Sequence, residues 1–298
     1  MRVFVTGGTG FVGAAVVRDL LTSGHTVLAL ARSATSAATL RAMGADPHPG
    51  SLEDLAALRS AAARSDAVIH TAFDNAGVLL FRRNSRIERR ALDAVGDVLA
   101  GTDRPLVAAG GFAPAIRSGP LVTEEDPASS SAGPLGRNVE RTIMRLADRG
   151  VNASVVRMPI VHGDGDRFTL PRFIALARKH GESVYVGDGT NRVPAVHHRD
   201  AAAVFRLAAE RAVPRARYHA VAEEGVPFRS VAEVIGRRLG VPAVGRSRGS
   251  AFLRLGVYAA YAGADGPASS NVTRDLLGWR PSGPALLADL DRPEYFDR

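Results

Sequence analysis

The apolar positions of the first 160 residues follow two alternating patterns. Short continuous runs read as buried strands: Val3-Phe4-Val5, Val27 to Leu30, Ala67-Val68-Ile69, Leu106 to Ala109 and Ser154-Val155-Val156. Between them, apolar residues recur at helical spacing over Ala14 to Leu21, Thr35 to Met43, Leu52 to Ala63, Ile87 to Leu99 and Val139 to Ala147. Ser23-Gly24 closes the first helix and Gly150 the last, and Ser51 is the expected N-cap of the third. Strands apolar on both faces, alternating with helices, mean a parallel sheet covered on both sides. The predicted fold class is therefore α/β, a doubly wound parallel sheet. After Pro159 the pattern loosens. Gly163, Gly165, Pro171, Gly181, Gly187, Gly189 and Pro194 cut it into short pieces, interrupted by a strand (Pro194 to His197) and a helix (Asp200 to Ala209). From Pro214 onward, short helices and Gly/Pro turns are expected, among them a helix around Ala251 to Ala262 whose apolar spacing reads as core packing.

The first strand runs into Thr6-Gly7-Gly8-Thr9-Gly10-Phe11-Val12-Gly13, which then opens a helix. Strand, glycine-rich turn and helix in that order suit a dinucleotide. Gly7 permits the tight turn, Gly10 lets the backbone approach a pyrophosphate, and Gly13 lets the helix pack on the sheet. The free N–H groups at the helix start, with Thr9, Phe11 and Val12, would receive the phosphates. The second strand ends at Leu30-Ala31-Arg32-Ser33, and no acid lies between Asp19 and Asp46. NAD calls for a carboxylate there to hold the ribose 2′-OH. Arg32 instead offers a guanidinium fork to a 2′-phosphate, with Ser33 as second donor, so the expected cofactor is NADP (as NADPH). Residues 1–162 are expected to form the nucleotide-binding Rossmann domain, with 190–212 returning to it. Residues 163–189 and 213–298 are expected to form a smaller mixed substrate lobe.

Composition narrows the classes. A 298-residue chain with 46% hydrophobic residues can bury a sizeable core. It has no Cys, which excludes disulfides, Cys-ligated zinc, iron–sulfur chemistry and a thiol nucleophile. No apolar run approaches the roughly 18 residues of a spanning helix. The N-terminus reads as a strand rather than a signal peptide. A cytoplasmic protein without a membrane partner is expected. The 38 basic and 30 acidic residues leave a charge of +8. The arginines are interleaved with acids, and the densest set (Arg82, Arg83, Arg86, Arg89, Arg90) falls on a helical pattern. It reads as a solvated helix face, not a nucleic-acid surface. Asp164 and Asp166 lack the spacing of a calcium loop, Glu124-Glu125-Asp126 reads as a solvated turn, and no metal site is expected. The oligomeric state is not legible.

Taken together, these motifs resemble the extended, epimerase-like short-chain dehydrogenase/reductases, nearly end to end. The resemblance rests on the glycine loop, on Asp66 to Ala72, on Val156 to Gly163, on Val196 to Ala201 and on Leu277-Gly278-Trp279-Arg280-Pro281. It implies that Thr71, Ala72 and Phe73 line the nicotinamide ribose. It also implies that Ser51 and Leu52 lie near the adenine, and that Ala109, Gly110, Pro159 and Ile160 approach the cofactor.

The catalytic pattern of that family is absent. Its members use a Tyr as general acid, a Lys four residues later, and a Ser or Thr after the fifth strand. The equivalents here fall near Ala132 and Gly136, and the fifth strand ends Ala108-Ala109-Gly110-Gly111-Phe112. The chain has a single Lys, at 179, and no Tyr before 185, so no misalignment can hide the pair. Loss of the acid leaves hydride transfer intact, because that chemistry belongs to the cofactor. Three readings follow. A reductase could take its proton from His162, His197, His198 or Tyr185, or from its own substrate. The chain could instead be a cofactor-sensing protein without catalysis, or a non-redox isomerase or cyclase. The first is preferred. A ketone beside a phenol carries an internal hydrogen bond where charge develops. Phe73, Gly111, Phe112, Ala132 and His162 would give it a roomy, weakly polar pocket. Within the family the likeness is greatest to tetrad-less ketoreductases of actinobacterial angucyclinone (simocyclinone-type) polyketide pathways, which implies an aromatic polyketide ketone from antibiotic biosynthesis as substrate.

Overall fold

In a computed structural model, which describes residues 1–74, 80–112, 119–127 and 139–297, the apolar runs become strands. Ala132 and Gly136 lie outside the described residues. The first half runs β1 (Arg2–Thr6), α1 (Phe11–Thr22), β2 (Thr26–Ala31), α2 (Ala34–Ala42), β3 (Asp46–Pro49), α3 (Leu55–Ala63), β4 (Ala67–His70), α4 (Phe81–Leu99), β5 (Leu106–Gly111), α5 (Val139–Asp148) and β6 (Ala153–Met158). There follow β7 (Ile160–His162), α6 (Thr169–His180), β8 (Ser183–Val186), β9 (Arg192–His197), α7 (His198–Arg211) and β10 (Arg217–His219). The remainder is β11 (Glu223–Pro227), α8 (Phe228–Leu239), β12 (Ala243–Arg246), α9 (Arg248–Leu255), α10 (Tyr258–Ala262), α11 (Asn271–Leu277) and α12 (Leu286–Leu290), ending in a 3₁₀ turn over Pro293–Tyr295.

Seven strands make one parallel sheet in the order β10-β6-β5-β4-β1-β2-β3. The winding direction reverses between β1 and β4. The crevice outside the carboxyl ends of those two strands is where such a sheet receives a ligand. One face buries Val3, Val5, Val16, Leu20, Phe205 and Trp279 with α1 and α7. The other buries Phe4, Leu58, Leu92, Leu99 and Ile143 with α3, α4 and α5. Helix α4 shows the division most clearly. Asn84, Glu88, Ala91, Leu92, Val95 and Leu99 face inward, while Arg82, Arg83, Arg86, Arg89 and Arg90 are exposed, as a solvated face requires. A separate core around Phe173, Ile174, Phe228, Val231 and Leu290 belongs to the lobe. A three-stranded sheet in the order β11-β9-β7 and the parallel pair β12-β8 lie outside the main sheet.

Four local expectations are corrected. Helix α3 is capped by Asp54, whose carboxylate accepts from the Ala57 N–H at 3.0 Å. Ser51 instead accepts from the Glu53 N–H at 3.2 Å, a tight local turn that starts the helix three residues late. Arg217–His219 joins the main sheet as its edge strand, where short helices and turns were expected. Three residues are too few for a readable period, yet buried Tyr218 and Trp279 belong to the first core and draw parts of residues 213–298 onto the nucleotide domain. The apolar stretch 251–262 is no single packed helix. Gly256, at φ 57° and ψ −135°, breaks it, and Phe252, Leu253 and Val257 are exposed. Finally, Glu124 and Asp126 are buried rather than solvated, because both carboxylates are spent on backbone and hydroxyl donors: Glu124 accepts from Thr273 and Asp126 from Thr123.

Candidate active site

The glycine loop has the geometry its mechanism needs. Gly7 sits at φ 79°, left-handed backbone that an L side chain seldom adopts. Its carbonyl accepts from the Gly10 N–H at 2.8 Å, closing the turn over β1. A Cβ on Gly13 would lie 2.0 Å from that same carbonyl oxygen and 2.7 Å from Thr71 Oγ1. Helix α1 can therefore reach the sheet edge only through a glycine. No side chain caps α1, so its first N–H groups are left for a ligand. Thr9 and Gly10 are exposed, while Val12 turns its side chain into the first core and has only its backbone to offer.

On the β2 side, Arg32 is exposed and has no ion-pair partner among the described residues. Ser33 is the N-cap of α2, in a reciprocal box with Ser36, at 3.1 Å from the Ser36 N–H and 3.0 Å from Ser36 Oγ to the Ser33 N–H. The cap holds the Ser33 hydroxyl beside Arg32 at the strand end. Ser51 and Leu52 are half-buried beyond β3, the adenine side of such a crevice.

On the β4 side, the Thr71 hydroxyl donates to Thr6 O at 2.8 Å, tying β4 to β1 under the loop. A Cβ on Gly7 would meet Ala72 N at 2.7 Å, so Thr71 and Ala72 run directly against the glycine turn. Phe73 stacks edge-to-face on Phe81, ring centroids 5.0 Å apart. Ala109, Gly110, Gly111 and Phe112 follow at the end of β5, and no described residue comes within 4 Å of where a Gly111 Cβ would stand. Phe112 leans on His219 at 4.7 Å, beside Val122, Val221 and Ala268. Pro159 bridges β6 and β7, half-buried; the Ile160 side chain packs into the lobe core, away from the crevice.

Beneath this edge lies a buried ionic cluster that the sequence did not announce. Arg157, 3% exposed, donates to both Glu140 oxygens (2.7 and 2.8 Å), to the carbonyls of Thr123 and Asp126, and to His219 Nε2 at 3.0 Å. Arg217 also donates to Glu140, at 2.7 Å. Burial would raise the Glu140 carboxyl, but these two guanidinium groups overcome it and hold it below the usual carboxylate range. An arginine can only donate, so His219 Nε2 is its acceptor and the Nδ1–H goes to Ser269 O at 2.7 Å. Burial first and the Arg157 charge second push His219 down to about 3, so it is a neutral imidazole and not an acid. The partners lie 17 to 77 residues apart in the chain, which is why no local motif carries them.

The four candidate proton donors are not equivalent. His162, His197 and His198 come together at the carboxyl ends of β7 and β9, and His198 rests edge-on against Phe11 of the glycine loop at 5.2 Å. Burial, then the neighbouring His197, lowers His198 to about 4, and burial, then His162, also lowers His197. Both are neutral at pH 7 and hold no imidazolium proton to give. His162 is fully buried, and its Nδ1–H is committed to Asp289 at 2.9 Å. Tyr185 lies apart in β8 of the lobe, between Gly189, Gly245 and the Arg229 guanidinium. His70 is structural, bonded to the Thr6 hydroxyl at 2.9 Å with Glu88 on its other side. Trp279 is also structural, donating to Asp200 O at 3.1 Å. No helix among the described residues is long and apolar enough to cross a membrane.

The model of the NAD dependent epimerase/dehydratase family matches residues 3–100. An uncharacterised protein of Schizosaccharomyces pombe is 42% identical over 299 residues, covering 99% of this chain and 100% of its own. An uncharacterised protein of Saccharomyces cerevisiae is 37% identical over 295 residues, covering 97% and 98%. A 2-alkyl-3-oxoalkanoate reductase of Stenotrophomonas maltophilia is 28% identical over 271 residues, covering 83% and 78%. Among solved structures, a nucleoside-diphosphate-sugar epimerase of Pseudomonas aeruginosa matches with a TM-score of 0.77 at 19% identity, covering 100% of this chain and 97% of the other. A dTDP-glucose 4,6-dehydratase of Streptomyces venezuelae with NAD bound matches with a TM-score of 0.74 at 21% identity, covering 100% and 97%. These two likenesses are of fold.

Proposed function

Because this chain belongs to the NAD dependent epimerase/dehydratase family, we propose that it is an NADPH-dependent ketoreductase that acts without a protein proton donor. The carrying observation is an intact glycine loop in a chain that has no Tyr–Lys pair at the catalytic positions. Of the four candidate donors, two are neutral, one is sealed against Asp289 and one lies in the lobe. The segments 75–79, 113–118 and 128–138, outside the described residues, contain no Tyr, Lys, His, Asp or Glu. NADPH, when bound, supplies the hydride. The residues around it bind and orient: Gly7 to Gly13 take the pyrophosphate, Arg32 and Ser33 the 2′-phosphate, and Thr71 to Phe73 the ribose. The substrate is a ketone with a neighbouring phenol, whose hydroxyl already donates to the carbonyl oxygen and stabilises the alkoxide as it forms; the phenol proton passes to that oxygen to give the alcohol, and water reprotonates the phenolate. Phe73, Phe112 and the open surface at Gly111 suit a flat aromatic ring. The Stenotrophomonas relative, named a reductase of 3-oxoalkanoates, supports carbonyl reduction as the reaction class. An aromatic polyketide intermediate of antibiotic biosynthesis is the narrower form of the proposal.

The test compares a hydroxy-substituted aromatic ketone with its methyl ether, under saturating NADPH. Methylation should lower turnover by about 100-fold or more, the loss of one well-placed donor to the developing oxyanion. Equal turnover would sink the substrate-assisted mechanism. NADPH that binds but is oxidised by no ketone would favour a sensor instead. Cofactor choice has its own test. Arg32→Ala should weaken NADPH by about 10- to 100-fold and leave NADH within twofold, because only the 2′-phosphate loses a charged bidentate partner. Equal losses for both dinucleotides, read by titration, would remove Arg32 from the phosphate site.

A further inference from the structure

The end of the chain grips the turn that follows β7. Asp289 Oδ2 accepts from His162 Nδ1 at 2.9 Å and from the Tyr295 hydroxyl at 3.0 Å. That hydroxyl in turn accepts from the Gly163 N–H at 2.8 Å. Arg292 spans the outside, reaching Asp164 at 2.9 Å and Asp289 Oδ1 at 3.2 Å. His162 and Asp289 are fully buried and Tyr295 nearly so. A carboxylate placed there must be paired, and here it holds two donors more than a hundred residues apart.

The turn that is gripped is also the backing of the cofactor loop. Gly163 stands at φ 131°, and a Cβ there would lie 2.0 Å from His198 Nδ1 and 2.8 Å from His197 Nε2. The two imidazoles thus rest directly on the Gly163 backbone. His198 presses edge-on against Phe11, the first residue of α1, and Gly165 approaches the same ring, 3.9 Å from where its Cβ would be. The contacts run from Tyr295 and Asp289, through His162 and Gly163, to His198 and Phe11.

We propose that residues 289–295 form a clasp that positions the cofactor loop, with Asp289, Arg292 and Tyr295 acting as positioning residues on Phe11 through the 162–165 turn. The proposal rests on the reading that residues 7–13 hold the NADPH pyrophosphate. The clasp bears on that end of the cofactor and not on Arg32 and Ser33, so the two halves of the ligand should respond differently.

The experiment measures NADPH and 2′-AMP affinity by titration of the whole chain, with thermal unfolding alongside; 2′-AMP carries the 2′-phosphate but no part of the pyrophosphate. Tyr295→Phe, which removes the hydroxyl's hydrogen bonds to Asp289 and Gly163, should raise the NADPH Kd about tenfold and leave the 2′-AMP Kd within twofold. Arg292→Gln changes only a partly exposed grip, so folding is not at stake, and should raise the NADPH Kd about threefold. Unchanged NADPH affinity in both folded variants would overturn the clasp. A parallel loss of both ligands would also overturn it, since that marks a general structural role. A wild-type chain that binds neither ligand would overturn the cofactor reading and the clasp with it. A wild-type chain that binds both, with indifferent variants, would overturn the clasp alone.

Discussion

Gly13→Ala is expected to raise the NADPH Kd at least about 100-fold, some 2.7 kcal/mol of binding free energy. The added methyl group would stand 2.0 Å from the Gly7 carbonyl oxygen, 2.7 Å from the Gly7 carbonyl carbon and 2.7 Å from Thr71 Oγ1. None of the three can yield easily. The Gly7 carbonyl is fixed by the Gly10 N–H, and the Thr71 hydroxyl by Thr6 O. The first turn of α1 must therefore retreat from the sheet edge and carry its free N–H groups away from the pyrophosphate. Gly249→Ala is the control. That glycine lies in α9 of the lobe with open space around it, and its replacement should leave affinity within twofold. Titration of both variants, with circular dichroism to establish folding, reads the result. A folded Gly13→Ala protein with native affinity would mean that the phosphates do not sit at this helix start.

The parts of the molecule that were legible in the sequence are those with a local signature. Five strands of the main sheet (β1, β2, β4, β5 and β6) are largely apolar and buried, and α4 carries its arginines opposite Leu92, Val95 and Leu99, so the apolar pattern alone reveals them. The glycine loop is legible because its constraint is local: a left-handed Gly7 and a Gly13 against Gly7 lie six residues apart. The absent acid is legible for a different reason, since composition cannot be misaligned: one Lys at 179 and no Tyr before 185 leave nothing to search for. Edge strand β10 was missed because three residues carry no period, and because its place depends on Trp279, sixty residues on, filling the core beside Tyr218. The stretch 251–262 misled in the opposite way, since apolar spacing there does not report burial.

The rest of the site was illegible because it is assembled from distant charges. Arg157 belongs to a family-like stretch in β6, yet nothing in that stretch reveals that Glu140, His219, Thr123 and Asp126 converge on one guanidinium. His162, His197 and His198 stood out in the sequence as proton-donor candidates on residue type alone. The structure buries them against one another and, through His162, against Asp289, which turns them from donors into packing elements. The same burial that removes His197 and His198 as acids makes the fold sensitive to pH.

Acid should therefore destabilise this fold well above the carboxylate range. His219 and His198 are held down to about 3 and about 4, from an ordinary 6.5, chiefly by burial. Both are neutral in the folded chain and protonated in the unfolded chain between those values. The unfolded state then binds more protons, so stability rises with pH through this window and is fully present above about 6.5. Going from pH 7.5 to pH 5 removes about 2 kcal/mol for each of the two, or about 4 kcal/mol together. His197, also held below its ordinary value, adds in the same direction. Glu140 and Asp289 stay out of the window. For each, burial would raise the carboxyl, but their partners hold it below its ordinary value, so their stabilisation is lost only at lower pH. Urea unfolding at pH 7.5, 6.5, 5.5 and 5.0 should give a flat midpoint at the top of the range and a steep fall below 6.5. In His198→Phe, which keeps a ring on Phe11 without the titrating nitrogen, the fall should shrink by about 2 kcal/mol. A midpoint that stays level down to pH 5 would mean that these imidazoles are not buried as neutral groups, and the site would then regain a proton donor.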